Sequence, residues 1–173
     1  MGDKSNFNDS ITDYNNAVDK RILLFTDEVG KQGPKGVSPL EIGEIHKAHA
    51  DKLQELTGAD YTGYKVMLTG DTVQHILKDH GENGKSDQSM SDPKDIARIG
   101  WVINNFDNAE LQNKKLKRFS NSDGTLANII LLQKRVNGNY YVAEAVPNTK
   151  KKQIHILSAY KNIKKAIAGV NRL

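Results

Sequence analysis

The hydrophobic period of this chain changes partway along it, and that change restricts the fold more than any single motif. Up to Phe106 the apolar residues recur every three or four positions; from Leu116 they alternate, and the run Ile129 to Leu132 is too continuous for an exposed edge strand. A chain that reads as helices first and strands afterwards is expected to be α+β, not a parallel sheet wound with crossover helices. Lys115 to Phe119, Leu126 to Val136, Tyr140 to Val146 and Gln153 to Lys161 read as strands. Ser122-Asp123-Gly124 reads as a turn, Asn137-Gly138 as a hairpin, and a short helix runs on to Val170. The expectation is an antiparallel sheet of four or five strands packed on helices.

The earlier half supplies those helices. Ser10 to Asp13 has the spacing of a capping box, and Ile11, Tyr14, Val18, Ile22, Phe25 and Val29 continue the apolar stripe of a helix of about five turns. Gly30 to Gly36 reads as a loop. Ser38-Pro39-Leu40-Glu41 then has Ser as cap, Pro at the first helical position and Glu at the third, and Gly58 closes this second helix. Together they predict a helical hairpin over residues 10–58, so residues 1–60 read as a helical extension or accessory segment and residues 61–173 as a small α+β domain. Asp92-Pro93 starts a later helix whose Ile96, Ile99, Val102, Ile103 and Phe106 face the core, with Trp101 at its edge.

Between these parts lies a strand, turn and helix. Val66 to Leu68 is apolar, Thr69-Gly70 breaks it, Asp71 is placed to cap a helix with Gln74 reaching back, and Gly81 is placed as a left-handed C-cap. Val73, Ile76, Leu77 and His80 fall on one stripe, with His75 to its side. Two imidazoles near one helix end are a candidate for proton transfer near neutral pH, and His75 is expected to be the catalytic one, His80 the packed one. Glu82 to Ser91 is a polar loop of the sort that carries function or moves over a site. In the last strand, strict alternation puts Ser158 and Tyr160 on one face, and Lys161 closes the strand.

Charge separates the halves more sharply than the net +4 suggests. Residues Leu111 to Leu173 hold 13 Lys and Arg against 2 Asp and Glu, a net of +11, whereas residues 1–110 carry a net of −7. A strongly basic section is the electrostatic footprint of a polyanionic partner, most commonly nucleic acid. Absence of cysteine excludes disulfides, thiolate metal sites and cysteine nucleophiles. His46 and His49 stand three residues apart, but no third ligand follows and Glu44, Lys47 and Asp51 mark a wet surface, so no metal or other cofactor is expected. The polar N-terminus has no signal-peptide core and no apolar run is long enough to span a bilayer, so a soluble protein without a membrane partner is expected.

One succession of signals resembles a known family. His75-Ile76-Leu77-Lys78-Asp79-His80 on a helix after a strand, Asp95 to Ile103 as Asp-Ile-x-x-Ile-x-x-Val-Ile, and a meander ending in Ser158-Ala159-Tyr160 are similar to the phage-associated nucleases of the barnase, EndoU, colicin and RelE-like superfamily. The likeness spans roughly Tyr64 to Lys165 and leaves residues 1–60 outside. It implies a metal-independent endoribonuclease of toxin or phage-effector type, with His75, His80, Ser158 and Tyr160 as active-site positions. It also implies RNA as substrate, tRNA among the candidates, a cognate immunity or antitoxin protein as partner, and action in the bacterial cytoplasm, the cell's own or a target's.

Cleaving RNA through its own 2′-hydroxyl requires a base for that proton, an acid for the departing 5′-oxygen and a cation near the phosphoryl oxygens. Lys161, Lys78 and Arg135 are the available cations, and Lys150, Lys151 and Lys152 suit general contacts to the backbone. Tyr140-Tyr141 among Lys134 and Arg135 supports an alternative, a non-catalytic nucleic-acid-binding phage protein that stacks bases on its sheet. An ADP-ribosyltransferase-like toxin is set aside, because no Arg, Ser-Thr-Ser and Glu-x-Glu succession is present.

Overall fold

Strands β1 (Leu40–Glu44), β2 (Lys65–Leu68), β3 (Asn108–Ser120), β4 (Leu126–Val136), β5 (Asn139–Asn148) and β6 (Gln153–Ile163) form one sheet in the order β1-β2-β6-β5-β4-β3. The structure, a computed structural model, describes residues 11–120, 126–136 and 138–163. Its helices are α1 (Lys20–Gln32), α2 (Lys47–Thr57), α3 (Gly70–His80), α4 (Pro93–Ile96) and α5 (Ile99–Asn105). The fold is α+β as expected, but the sheet has six strands and is mixed, because β2 runs parallel to β6. The turn at Ser122-Asp123-Gly124 and the helix to Val170 lie outside the described residues.

The N-terminal hairpin of helices does not form. Residues 11–16 are helical, the chain breaks at 17–19, and α1 begins afresh with the Asp19 carboxylate accepting the Arg21 N–H. More consequentially, the Ser38-Pro39-Leu40-Glu41 start signal is overruled: Leu40 to Glu44 pairs antiparallel with β2, with an irregularity between Glu41 and Gly43. Pairing with β2 and burial of Ile42 and Ile45 outweigh a local cap, and Gly43 would have weakened a helix there. The true helix starts after His46 and ends where expected, at the left-handed Gly58.

Other signals translate directly into structure. Asp92 caps α4 through the Lys94 N–H, and Ile96, Ile99, Val102, Ile103 and Phe106 are all buried, although the helix is divided at 97–98. Val136 pairs with Asn139 across a two-residue connection in which Gly138 has φ +85, a conformation glycine adopts without a Cβ clash. One apolar cluster joins Ile22, Phe25 and Val29 of α1 to Val73 and Ile76 of α3, Ile99 and Val102 of α5, and Ile154 and Ile156 of β6. Each such side chain contributes about 1.5–3 kcal/mol on burial. A smaller cluster, Ile129, Leu131 and Val142, covers the other face of the sheet.

Two features of β6 prepare the site. First, β2 pairs only with Gln153 to His155, so beyond that point β6 has an edge without a strand neighbour among the described residues, and α3 and the loop after it occupy that side. Thr72 Oγ1 donates to the Ile156 carbonyl at 2.6 Å, and Ser89 Oγ accepts the Lys161 N–H at 3.0 Å. Second, the β5–β6 register shifts: Glu144 faces Ser158 while Ala145 faces Ile156, which leaves Leu157 as an extra residue. That bulge inverts the alternation. Ile154, Ile156 and then Ala159 share the main core, so beyond Leu157 the odd-numbered residues turn toward the helices, Lys161 among them.

Candidate active site

Helix α3 is fixed at its end by the loop that follows. Gly81 is extended (φ −80), not the left-handed cap expected from its sequence, and its N–H bonds the Leu77 carbonyl at 3.0 Å. The start differs as well, since Thr69 rather than Asp71 is the cap and accepts the Thr72 N–H. Residues after Gly81 fold back on the last turn. Lys85 N–H reaches Lys78 O at 3.0 Å, Ser86 N–H reaches Asp79 O at 2.9 Å and Met90 N–H reaches His80 O at 2.8 Å. These satisfy carbonyls that a helix end otherwise leaves to water, and the fully buried Met90 anchors the loop. A Cβ on Gly84 would stand 2.1 Å from Asp87 O, so the turn admits only glycine without rearrangement.

This packing delivers Asp87 to His80. Asp87 Oδ2 lies 3.0 Å from His80 Nδ1, and the imidazole, 8% exposed, stacks tilted on Tyr160 with ring centroids 5.0 Å apart. Partial burial opposes the charge of Asp87, but the Ser89 N–H and hydroxyl, and then His80, hold its carboxyl below the usual range. In the neutral ring an ionised carboxylate beside Nδ1 favours the tautomer with the proton on that nitrogen. Burial first, and the neighbouring Glu144 carboxylate second, push the Tyr160 phenol above its ordinary value. His80, Asp87, Ser89, Asp95, Tyr160 and Lys161 line part of a pocket of about 700 Å³ at this end of β6.

The floor of that pocket is a buried charge network. Asp95, 5% exposed, binds Lys161 Nζ through Oδ2 at 2.8 Å and Arg98 through Oδ1 at 2.9 Å, and the Tyr14 hydroxyl also donates to Oδ1. The Tyr141 hydroxyl donates to the Asp95 carbonyl, and the Arg98 guanidinium lies 4.3 Å from the Tyr14 ring centre. Burial, followed by the Asp95 hydrogen bond, raises the Tyr14 phenol far above its ordinary value, and burial does the same to Tyr141. Lys161 is thereby held at the pocket wall by a residue 66 positions away.

The expected site residues separate into groups. His80, Tyr160 and Lys161 meet in the pocket. His75 lies beside it: its side chain is 47% exposed, Nε2 is 3.7 Å from Asp79 Oδ2, and its ring centre is 6.3 Å from that of His80. Ser158 is 2% exposed, its Oγ has no hydrogen-bond partner among the described residues, and the bulge at Leu157 interrupts the strict alternation expected of this strand. Tyr141, expected beside Tyr140 as a base-stacking ring, is 1% exposed and lies in the core. Arg135 is exposed on the sheet face away from Lys161, in register with Tyr140 and Asn162. Lys78 lines a separate hollow with Lys85 and Glu82. Lys150 to Lys152 sit in the β5–β6 connection, about 30 Å from Lys161 at the usual strand rise.

Nothing in the sequence marks Asp87, Asp95, Arg98 or Tyr14 strongly as a site residue. The only sign of Asp87 was its long polar loop, and that of Asp95 was an acid opening an otherwise apolar helix. His75, Asp79 and His80 place one potential ligand atom each within 4.8 Å of one another. His49 packs on the Phe106 ring at 5.1 Å, and burial lowers its pKa. No described helix is long and apolar enough to cross a membrane.

Comparison with known proteins follows the same outline. A family model described as phage-Barnase-EndoU-ColicinE5/D-RelE like nuclease3 matches residues 43–168, from β1 through β6 and beyond, well over half of the chain. No curated protein and no solved structure matches.

Proposed function

The chain belongs to the phage-Barnase-EndoU-ColicinE5/D-RelE like nuclease family, and from that premise we propose that it is an endoribonuclease cutting RNA by attack of the 2′-hydroxyl on the adjacent phosphate. The observation that carries the reading is the convergence of His80, Asp87, Tyr160 and Lys161 in one pocket. His80 Nε2 takes the 2′-hydroxyl proton while Asp87 holds the Nδ1–H and so the tautomer. The 2′-oxygen bonds to phosphorus, the bond to the 5′-oxygen breaks, and a 2′,3′-cyclic phosphate remains. Lys161 offsets charge on the phosphoryl oxygens. Tyr160 stacks on the His80 ring, with centroids 5.0 Å apart, and so holds the imidazole in place. His75, whose ring stands 6.3 Å from that of His80, protonates the leaving 5′-oxygen.

This assignment moves the base from His75 to His80, because His80 faces the pocket and has an orienting carboxylate. The non-catalytic alternative loses its main support, since Tyr141 is in the core. As a toxin-like effector acting in a bacterial cytoplasm, the protein would need a cognate immunity protein, and the net +11 from Leu111 onward favours an acidic one. The test is a defined RNA oligonucleotide beside the same sequence with one 2′-deoxy nucleotide at the cut position, both in excess chelator. The expected result is cleavage of the first with a cyclic-phosphate end and none at the substituted position. Cleavage of both at equal rates would refute 2′-hydroxyl attack.

A further inference from the structure

We propose that His75, Asp79 and His80 form a binding site for one divalent transition-metal ion of the zinc type, and that its occupancy silences the pocket. The inhibitory half of this statement rests on the nuclease reading; the metal site itself does not. Three ligand atoms of these residues already lie within 4.8 Å of one another, in a described region fixed by the loop that folds back on α3. Imidazole nitrogens and a carboxylate bind zinc at about 2.0–2.2 Å, so drawing the three atoms onto one ion takes roughly an ångström of side-chain rotation. The two residues that must rotate are the freer ones, His75 at 47% and Asp79 at 31% side-chain exposure.

The third ligand is the one built to receive a metal. His80 is buried, and Asp87 holds its Nδ1 at 3.0 Å, the arrangement in which a carboxylate fixes ring orientation and raises the basicity of the opposite nitrogen. His75 and Asp79 are four residues apart on one helix and so share a face. Ser86 and Asp87 N–H groups on the Asp79 carbonyl, and Met90 N–H on that of His80, hold the backbone of both ligands before any ion arrives. Three protein ligands leave at least one position for water, which makes the site exchangeable. A metal on His80 Nε2 occupies the lone pair that the reaction needs, so binding and catalysis exclude one another.

The experiment uses the full chain stripped by chelator and dialysed. It is titrated with Co²⁺, read by visible absorbance, and with Zn²⁺, read by calorimetry, in parallel with D79N and H49Q. The proposal expects one equivalent bound by the parent and by H49Q, with a d–d spectrum of imidazole and oxygen ligation, and affinity at least about tenfold weaker in D79N. It also expects Zn²⁺ to inhibit RNA cleavage, each variant scaled to its own metal-free rate, with the midpoint shifted in D79N by the same factor as the affinity. No stoichiometric binding, equal affinity in parent and D79N, or loss of binding in H49Q instead would overturn the site. Binding as expected in a chain that never cuts RNA supports the site and counts against the nuclease reading alone.

Discussion

Replacing Asp95 by Asn should cost this protein a large share of its stability. The carboxylate is 5% exposed and lies between Lys161 at 2.8 Å and Arg98 at 2.9 Å, with the Tyr14 hydroxyl on the same oxygen as Arg98. Asn keeps an acceptor for Arg98 or Tyr14 but presents an amide of no net charge to Lys161. Removing one partner of a buried ion pair costs about 3–5 kcal/mol, because the remaining charge stays desolvated. Domains are stable by only about 5–15 kcal/mol, and at this length each kcal/mol shifts Tm by roughly 2–4 °C, so the fall should be about 6–20 °C. The assay is thermal unfolding followed by circular dichroism, checked by urea titration. Pairing D95N with K161M removes the cation left at Oδ2, so the double variant should recover part of the loss. A D95N protein within about 0.5 kcal/mol of the parent would refute the reasoning, since that is the range of surface changes.

The remaining expectations concern chemistry, binding and pH. D87N should lower kcat while leaving KM nearly unchanged, forfeiting part of the ~10²–10⁴-fold that acid–base catalysis contributes, because the His80 tautomer is no longer fixed; steady-state kinetics on an RNA oligonucleotide reads it. Changing Lys150, Lys151 and Lys152 to Gln should weaken RNA binding and flatten its dependence on salt without moving the cut, as expected for backbone contacts distant from the pocket; filter binding at several ionic strengths tests both points. Tyr14, Tyr141 and Tyr160 have phenols raised above the ordinary 10.0 by burial. A raised folded-state pKa gives stability that is whole below the unfolded value and lost above it, so stability should fall as pH climbs past about 10. Tyrosinate absorbance should then rise together with unfolding, and a separate titration of these phenols in the folded protein would contradict it.

What the sequence showed and what it hid divide along the range of the forces involved. The stripe of Val73, Ile76 and His80, the Asp92 cap and the Asn137-Gly138 hairpin are local signals, and each corresponds to a described feature at or beside its position. Leu40 to Glu44 is a strand because β2 is its neighbour, a partner more than twenty residues away that a convincing local helix start concealed. The bulge at Leu157 leaves no mark in the alternation of β6, yet it decides which residues face the helices. Asp95 gains its meaning from Tyr14, 81 residues before it, and Lys161, 66 after it. Tyr141 looked like a surface ring beside Tyr140, but strand register sets it opposite Lys161 and over the Asp95 carbonyl. The apolar stripe makes His80 look like a packing residue; it is buried, and the same burial places it against Asp87 and Tyr160.

The account turns on His80, and the most direct measurement is the cleavage rate of a defined RNA by H80A against the parent, in excess chelator, with the fold of both checked by circular dichroism. The account expects H80A to keep its secondary structure and to lose at least about 10²-fold in rate, the smaller end of what a general base contributes. A folded H80A protein that cuts RNA as fast as the parent would contradict it.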